Sequence, residues 1–187
     1  LGWAPKGDRE VFSLEDLIKE FSLDRINKNN PIFNIEKLKW FNNQWMKKLV
    51  ETALAEKIHN FSPKYETPKI KKLLPIVRER MFLLSDFEKL ASFFFTAPKL
   101  SQIPEIEIEK DKIGLVADSF EKLDSWNADN IKEEFQKVAE ELKIDRVRLI
   151  SAVRNIISGK TVTPPLYESM EIIGKEETIG RLRQYQE

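Results

Sequence analysis

The 187-residue sequence contains no cysteine and a single histidine, His59. The missing cysteines exclude a disulfide framework and thiol chemistry. A zinc site would have to be built from carboxylates, which zinc seldom uses. A Cys-His pair has no cysteine here, and a Ser-His-Asp triad has only His59 as its histidine. We therefore expect no hydrolase or transferase centre in this chain, and we expect His59 to be a partly exposed residue at a helix end.

Long apolar runs are also missing. No stretch approaches the roughly 18 residues that a membrane-spanning helix needs. The first seven residues lack the basic start and apolar core of a signal peptide, so we expect none. With 41% hydrophobic and 33% charged residues, the composition is typical of a globular domain.

Charge is balanced overall but unevenly distributed along the chain. Residues 37–80 carry 11 basic and 4 acidic side chains, whereas residues 83–145 carry 8 basic and 15 acidic ones. A basic segment suits a surface that faces phosphates, and a solvated cationic face is the alternative. The zero net charge argues against a nonspecific nucleic-acid coat and is compatible with a specific binder.

Apolar residues recur at helical spacing along most of the sequence. In "FNIEKLKWFNNQWMKKLVETALAEKI" we expect Asn42 and Asn43 to break the pattern into two helices, and we expect Pro75 to kink or restart a later one. "FSLEDLIKEF" begins with Ser13 as a cap, and "DRVRLISAVRNIISG" begins at an aspartate cap and ends at Gly159. The sequence therefore predicts an all-α fold.

The helices are expected to form two packed helical subdomains, hinged near residues 97–115. That segment contains prolines and is the best linker candidate in the chain. Alternating apolar residues at Ile103–Ile108 are the only candidate for a strand.

The stretch "SGKTVTPPLYES" joins the last of these helices to the next one. A residue before proline is extended, and Pro165 suits a first helical turn. Thr163 then caps the new helix or presents its hydroxyl outward, and Leu166 lies beside free N–H groups or in the core. Arg154 places a guanidinium about one turn before the loop, where it can also serve as a helix-end cation. Arginine donors, free backbone groups and apolar platforms are what a single-stranded RNA loop requires.

Two stretches at opposite ends of the chain resemble one family. "LGWAPKGDREVFSLEDLIKEF" with "NIEKLKWFNNQWMKK" resembles the region after the catalytic core of bacterial glutamyl-tRNA synthetases, and "GKTVTPPLYESMEIIGKEETIGRLR" is similar to their end. Their order and spacing imply that the whole chain corresponds to the C-terminal half of such an enzyme. The His-Ile-Gly-His-like and Lys-Met-Ser-Lys-Ser-like motifs are absent, so the chain should have no catalytic centre. Asn43 stands where the family often has glycine, which concerns the local turn only.

The resemblance implies a cage-like helical anticodon-binding region. It implies a stem-contact-type region at residues 1–60, followed by anticodon-binding subdomains at 61–100 and 101–187. The parent enzyme would be a cytoplasmic, monomeric glutamate–tRNA ligase of class I, which joins glutamate to tRNA(Glu) using ATP and Mg²⁺. The implied partners are tRNA(Glu) and the N-terminal catalytic domain of the same chain, with no membrane contact and no cofactor in the fragment itself.

The resemblance also implies reading residues. Arg154, Thr163 and Leu166 stand where the family contacts the first anticodon base, and Arg80 stands where it contacts the third. The Glu and Gln tRNAs differ at that third base, C against G. Arginine donors suit the acceptor edge of cytosine, and one base contact of this kind is worth roughly 1–3 kcal/mol. We therefore expect discrimination against the Gln tRNA, with a surface ion pair as the alternative role of Arg80.

Arg78 lies two residues before Arg80, so on a helix the two side chains cannot share a face. We expect one to face RNA and the other to face solvent or a carboxylate. Trp40 and Trp45 are expected in the core rather than as stacking platforms, and Trp126 in packing. The lysines of the basic segment are expected to position the tRNA backbone; they are Lys47, Lys48, Lys69, Lys71 and Lys72. A helical protein-interaction module without RNA binding is the alternative function.

Overall fold

Ten α-helices account for most of residues 2–27 and 32–187, the part of the chain that the computed structural model describes. No strand occurs there, only one isolated antiparallel bridge between Trp3 and Ile26. The predicted all-α fold is confirmed. The helices are α1 Leu14–Glu20, α2 Ile35–Lys48, α3 Glu51–Phe61, α4 Thr67–Val77, α5 Asp86–Ala91, α6 Lys110–Glu121, α7 Ala128–Glu141, α8 Arg146–Ser158, α9 Leu166–Ile173 and α10 Lys175–Gln186.

Capping groups set the helix ends that the sequence predicts. The Ser13 hydroxyl accepts a 3.1 Å hydrogen bond from a backbone N–H in the first turn of α1. The Asp145 carboxylate accepts one of 2.9 Å at the start of α8. Gly159 ends α8 with a φ of 68°, a left-handed conformation that glycine adopts without steric cost. Capping chemistry is local, which is why these ends could be predicted.

The predicted break at Asn42 and Asn43 is wrong, because α2 runs through both residues. The Asn43 amide is buried and donates to the Met81 carbonyl at 2.6 Å. The Asn42 amide donates to the Phe82 carbonyl, also at 2.6 Å. Both side chains are bonded to the segment after α4, so neither competes for the backbone of its own helix.

The predictions at the two other irregular segments also need correction. Of the two alternatives at Pro75, the restart is wrong, because α4 continues to Val77 and passes into a 3₁₀ turn at Arg78–Arg80; the kink stays a prediction. The proline removes one backbone hydrogen bond close to a helix end that stops anyway. No strand forms at 103–108, where Ile108 is buried against the second core and α6 begins two residues later.

The helices pack around two separate apolar cores. The first lobe, residues 35–102, is centred on aromatic rings, with Tyr65 lying 5.4 Å from Phe87 and 4.5 Å from Phe95 between centroids. The second lobe, residues 103–187, packs α6 to α10 around a second cluster. The expected subdomain boundary at 60/61 falls inside α3.

Basic side chains join the two lobes. The Arg181 guanidinium is buried and donates to the carbonyls of Phe93 at 2.9 Å and Ile157 at 2.5 Å. The Lys160 ammonium donates to the Ser92 hydroxyl at 3.1 Å. Each cation reaches from the second lobe to the 3₁₀ turn that ends α5, where free carbonyls attract positive charge. This interlobe joint fixes the orientation of one lobe on the other.

The surface of α2 departs from the sequence prediction. Trp40 and Trp45 are 38% and 44% exposed, so placing them in the core was wrong. Trp45 lies at a surface pocket that Trp3 and Phe12 also line. Trp126 does pack as predicted, against Phe120 with 5.9 Å between ring centroids, and its indole N–H donates to the Met170 carbonyl at 2.9 Å.

Candidate nucleic-acid interface

The loop between α8 and α9, residues 159–165, is buried in part. Thr163 and Pro164 are buried, whereas Val162 is exposed. Thr163 does not cap α9, as one prediction had it, because Pro165 occupies the capping position and no side chain caps the helix. The Thr163 hydroxyl instead donates to the carbonyl of Pro164 at 2.8 Å. The N–H groups of the first turn of α9 are therefore free of any side-chain cap.

Arg80 reaches this loop from the first lobe. Its guanidinium donates to the carbonyl of Thr163, a residue 83 positions later in the chain. The structure thus brings the candidate reader of the third base to the loop that carries candidate readers of the first. A guanidinium has five N–H donors, so donors remain for a ligand.

Arg78 has a different role from either that the sequence suggested. Its guanidinium donates to the carbonyls of Met46 at 3.0 Å, Lys47 at 2.6 Å and Leu49 at 2.5 Å. These carbonyls lie at the C-terminal end of α2, which has no further helical turn to satisfy them. Arg78 is therefore a half-buried structural cation that binds carbonyls, and it has no carboxylate partner among the described residues.

The two remaining candidate readers lie on either side of the loop. Arg154, on α8, is half-buried, and its guanidinium has no hydrogen-bond or ion-pair partner among the described residues. Leu166, the first residue of α9, is 5% exposed and belongs to the second core. Of the two alternatives for Leu166, the structure shows the core position, which leaves only its backbone N–H for a ligand.

Two of the five candidate lysines are engaged within the protein. Lys47 forms an ion pair with Glu79. The Lys69 ammonium donates to the Phe94 carbonyl at 2.5 Å. Burial lowers the pKa of Lys69, and the nearby Arg181 charge lowers it further. Both lysines therefore spend part of their hydrogen-bonding capacity on the fold.

The other three lysines are freer. Lys48 lies over the Trp45 ring, 4.8 Å from its centroid. Lys71 and Lys72, on α4, have no hydrogen-bond or ion-pair partner in the described part of the chain. Unpaired lysines on α4, the helix that leads into the 3₁₀ turn of Arg80, are a suitable arrangement for phosphates, which lysine binds as a point charge.

Metal and membrane sites are not found in the described ranges. No group of three or more His, Asp or Glu residues there could hold a metal ion. No helix there is long and apolar enough to cross a membrane.

The His59 ring lies in the last turn of α3, half-buried, with Nδ1 2.7 Å from the Tyr65 carbonyl oxygen. This confirms the predicted helix-end position.

Residues 35–186 match the profile of a protein family described as anticodon binding domain. The chain belongs to this family. Glutamate–tRNA ligase of Bacillus subtilis strain 168 is 32% identical to this anticodon-binding domain over 198 residues, which cover 98% of the chain and 41% of the ligase. Glutamate–tRNA ligase 1 of Caldanaerobacter subterraneus is 31% identical over 97% of the chain and 40% of the ligase.

A solved structure extends the comparison to three dimensions. The glutamate tRNA ligase of Elizabethkingia meningosepticum, in complex with its amino acid, superimposes with a TM-score of 0.83 at 27% identity. The match covers all of this chain and 39% of that ligase. The anticodon-binding domain thus spans about 40% of its relatives' length, and it corresponds to their C-terminal part. The family resemblance seen in the sequence is confirmed.

The sequence analysis missed one residue on which the arrangement depends. Arg181 lies in α10 among buried neighbours, Thr178, Ile179 and Leu182. An arginine inside an apolar helical stripe is the signal that could have identified it, because a charge that faces the core needs buried partners. The partners are the carbonyls of Phe93 in the first lobe and Ile157 at the end of α8. Both are far from Arg181 in the sequence, so the sequence alone could not identify them.

Proposed function

We propose that this chain is the part of a glutamate–tRNA ligase that binds tRNA(Glu) and reads its anticodon. The observation that carries the proposal is the Arg80 guanidinium bound to the Thr163 carbonyl within an anticodon-binding fold. The parent enzyme would join glutamate to the tRNA 3′ end in a catalytic region outside this chain, with ATP and Mg²⁺. It would act in the cytoplasm as a monomer.

The reading mechanism follows from the groups that the fold leaves free. The unpartnered Arg154 guanidinium and the uncapped N–H groups of α9, beginning with that of Leu166, would bind the edge of the first anticodon base. Arg80, held in place by the Thr163 carbonyl, would direct its remaining donors at the acceptor edge of cytosine in the third base. Guanine presents donors on its Watson–Crick edge, so it would face donors and lose the contact.

The lysines would place the RNA rather than read it. Lys48, Lys71 and Lys72 have the free ammonium groups that phosphate contacts need. Lys47 and Lys69, each bound to a partner in the protein, would contribute less. Affinity that depends on these side chains should fall as salt concentration rises.

The N-terminal face would meet the catalytic region. Leu14 and Ile18 of α1 and Leu38 of α2 are largely exposed. Leu38 and Trp45 line one pocket with Leu17 of α1. Contiguous exposed apolar side chains mark protein contacts. Since the relatives are about two and a half times as long as this chain, the upstream part of the same enzyme is the proposed partner for this face.

The test is binding of the chain to a 17-nucleotide anticodon stem-loop whose anticodon ends in C, compared with the same loop ending in G. Arg80→Gln is measured in parallel, with all experiments at one stated salt concentration. We expect the C loop to bind about fivefold to 150-fold more tightly, as loss of one base contact of roughly 1–3 kcal/mol implies. Arg80→Gln should remove that preference.

Arg183→Gln serves as the matched control. Arg183 is an exposed arginine of α10 that pairs with Asp118 and Glu121 on α6, so its loss changes the net charge equally without touching the loop. It should keep the wild-type preference. Equal binding of the two loops by the wild type, with no effect of Arg80→Gln, would contradict the proposed reading of the third base.

A further inference from the structure

The arginines of this chain fall into two groups. All nine lie within the described residues, and seven of them donate to a backbone carbonyl or to a carboxylate. The other two, Arg146 and Arg154, have neither kind of partner, and both lie on α8. The seven that are engaged are Arg9, Arg25, Arg78, Arg80, Arg148, Arg181 and Arg183.

The two unengaged arginines lie on one side of their helix. Eight residues of α-helix advance about 12 Å and rotate by about 80°. Ile150 lies between the two arginines, and Val147 beside them is 73% exposed. Val153 and Ile157, which are close to the arginines around the helix, are buried in the second core. Arg146 and Arg154 are thus both partly exposed and lie two turns apart along the edge of the side of α8 that enters the second core.

The surroundings of Arg146 leave its charge uncompensated. Its Nη2 lies 3.3 Å from the Tyr167 hydroxyl, a long contact, and its Nε has no hydrogen-bond partner. The neighbouring Asp145 carboxylate caps the backbone of α8. Arg148, on the same helix, pairs with Glu107 at 3.0 Å. An anion near Arg146 would supply the acceptor that the protein does not.

Tyr167 gives this position a second donor. Its ring packs on Phe135, with 5.4 Å between centroids, so the hydroxyl is held in place. When the hydroxyl oxygen accepts from Arg146, its own proton is free to be donated outward. A guanidinium and a hydroxyl side by side are suited to the two unbridged oxygens of a phosphodiester.

The path of the loop places this pair on the anticodon side of the lobe. Tyr167 is the second residue of α9 and contacts the first residue of α8. The loop 159–165 must therefore run back along α8, from the Arg154 end toward Arg146. An RNA strand that lies on the loop at Arg154 would reach Arg146 by following the same helix.

We propose that Arg146 and Tyr167 form a contact for the phosphodiester backbone of the RNA, two helical turns from Arg154. This proposal rests on the function proposed above and adds a site to it. Residues 146–160 carry four basic and no acidic side chains, although the segment before them is strongly acidic. The basic helix thus extends the RNA-binding surface of the first lobe across the second.

The test compares Arg146→Gln with Arg148→Gln in the full chain. The two variants lose the same charge from the same helix, but Arg148 belongs to an ion pair with Glu107. Against the C-ending and the G-ending stem-loop alike, Arg146→Gln should weaken binding about threefold to tenfold. It should also reduce the slope of log affinity against log salt by about 0.7. Arg148→Gln should change neither quantity measurably.

Two further variants separate charge from hydrogen bonding. Arg146→Lys should restore most of the salt slope, because it restores the charge. Tyr167→Phe, which keeps the ring on Phe135, should weaken binding about twofold to threefold. Thermal unfolding of each variant checks that the fold is kept.

Several results would overturn the proposal. If Arg146→Gln and Arg148→Gln have equal effects, Arg146 is not a specific phosphate contact, and a wild-type preference for the C loop would still support anticodon reading. If Arg146→Gln changes the ratio between the two loops, the residue reads a base rather than the backbone. If the wild-type chain binds neither loop, the proposed function fails and this contact fails with it.

Discussion

The residues before Met46 and those after it bury their apolar side chains to very different degrees. The buried hydrophobic core of the described residues begins at Met46 and runs to Leu182. Of the 20 large hydrophobic side chains that are exposed, 12 precede Met46. Both regions have the same amphipathic helical pattern, yet only the second contains the elements that cover it. A helical stripe in a sequence predicts the helix but not whether its partner lies in the same piece of chain.

Local contacts hold the N-terminal region together instead. The ring of Trp3 packs on Phe12 and Phe21, with centroids 6.3 Å and 5.8 Å away. Arg9 pairs with Asp16 in the first turn of α1. Such short-range interactions stabilise a segment weakly compared with a closed core, so this region should open at lower free energy than the helical body.

The largest expected effect is a loss of stability from a substitution in the second core. Phe120→Ala should lower the free energy of unfolding by about 3–5 kcal/mol, because Phe120 is fully buried between α6 and α7. Phe33→Ala, in the N-terminal region, removes the same ring from a site that is 58% exposed and should cost less than about 1 kcal/mol. Urea denaturation of the two variants is the measurement. Equal losses would mean that the two regions share one core.

The interlobe joint should show an intermediate effect. Arg181→Gln removes a buried guanidinium and leaves the carbonyls of Phe93 and Ile157 without their donor. We expect a loss of about 3 kcal/mol in the free energy of unfolding, as for the breaking of other buried charged contacts. Arg183→Gln, two positions along the same helix but exposed, should cost less than about 0.5 kcal/mol.

A matching binding measurement tests whether the joint serves recognition. If Arg181 fixes the lobes, Arg181→Gln should also reduce the preference for the C-ending loop under conditions where the chain is folded. A variant that is destabilised but keeps the full preference would show that the joint supports stability only.

The difference between local and distant contacts explains which predictions from the sequence succeeded. Helix ends at Ser13, Asp145 and Gly159 depend on residues within one turn, and each was predicted correctly. The break at Asn43 was wrong because its amide bonds to Met81, 38 residues away. No local pattern contains that partner.

The candidate site was predictable to a similar extent. The extended loop of "TVTPPL" follows from its prolines, and the reading residues were identified from the family resemblance and remain predictions. The hydrogen bond from Arg80 to Thr163 joins the lobes and could not be read from either segment. The orientation of Leu166 also depends on packing, since a leucine at a helix start is compatible with surface and core alike.

The smallest expected effect is the change in the free energy of unfolding with pH. Burial lowers the pKa of Lys160, in the interlobe joint, below its ordinary value of 10.5. The folded state therefore releases this proton before the unfolded state does. The free energy of unfolding should rise slightly as pH increases through the lowered pKa toward 10.5. Lys69 should act in the same direction for the same reason.

The stability of the N-terminal region should depend on pH in the acidic range. A hydrogen bond from Arg9 lowers the pKa of Asp16 below 3.8. The contribution of this contact to local folding is present above pH 3.8 and is lost as pH falls through the lowered pKa. Acid should thus loosen residues near α1 before the helical body, which amide exchange at each pH would detect.

The variant that isolates the alkaline effect is Lys160→Met. It should flatten the rise in unfolding free energy as pH increases toward about 10, while Lys89→Met, at an exposed lysine of α5, should keep the wild-type slope. The measurement must stop near pH 10, because burial raises the pKa of Tyr65. Above that pH the folded state keeps the tyrosine proton longer than the unfolded state, and stability falls again. An unchanged slope in Lys160→Met would place the titrating group outside the interlobe joint.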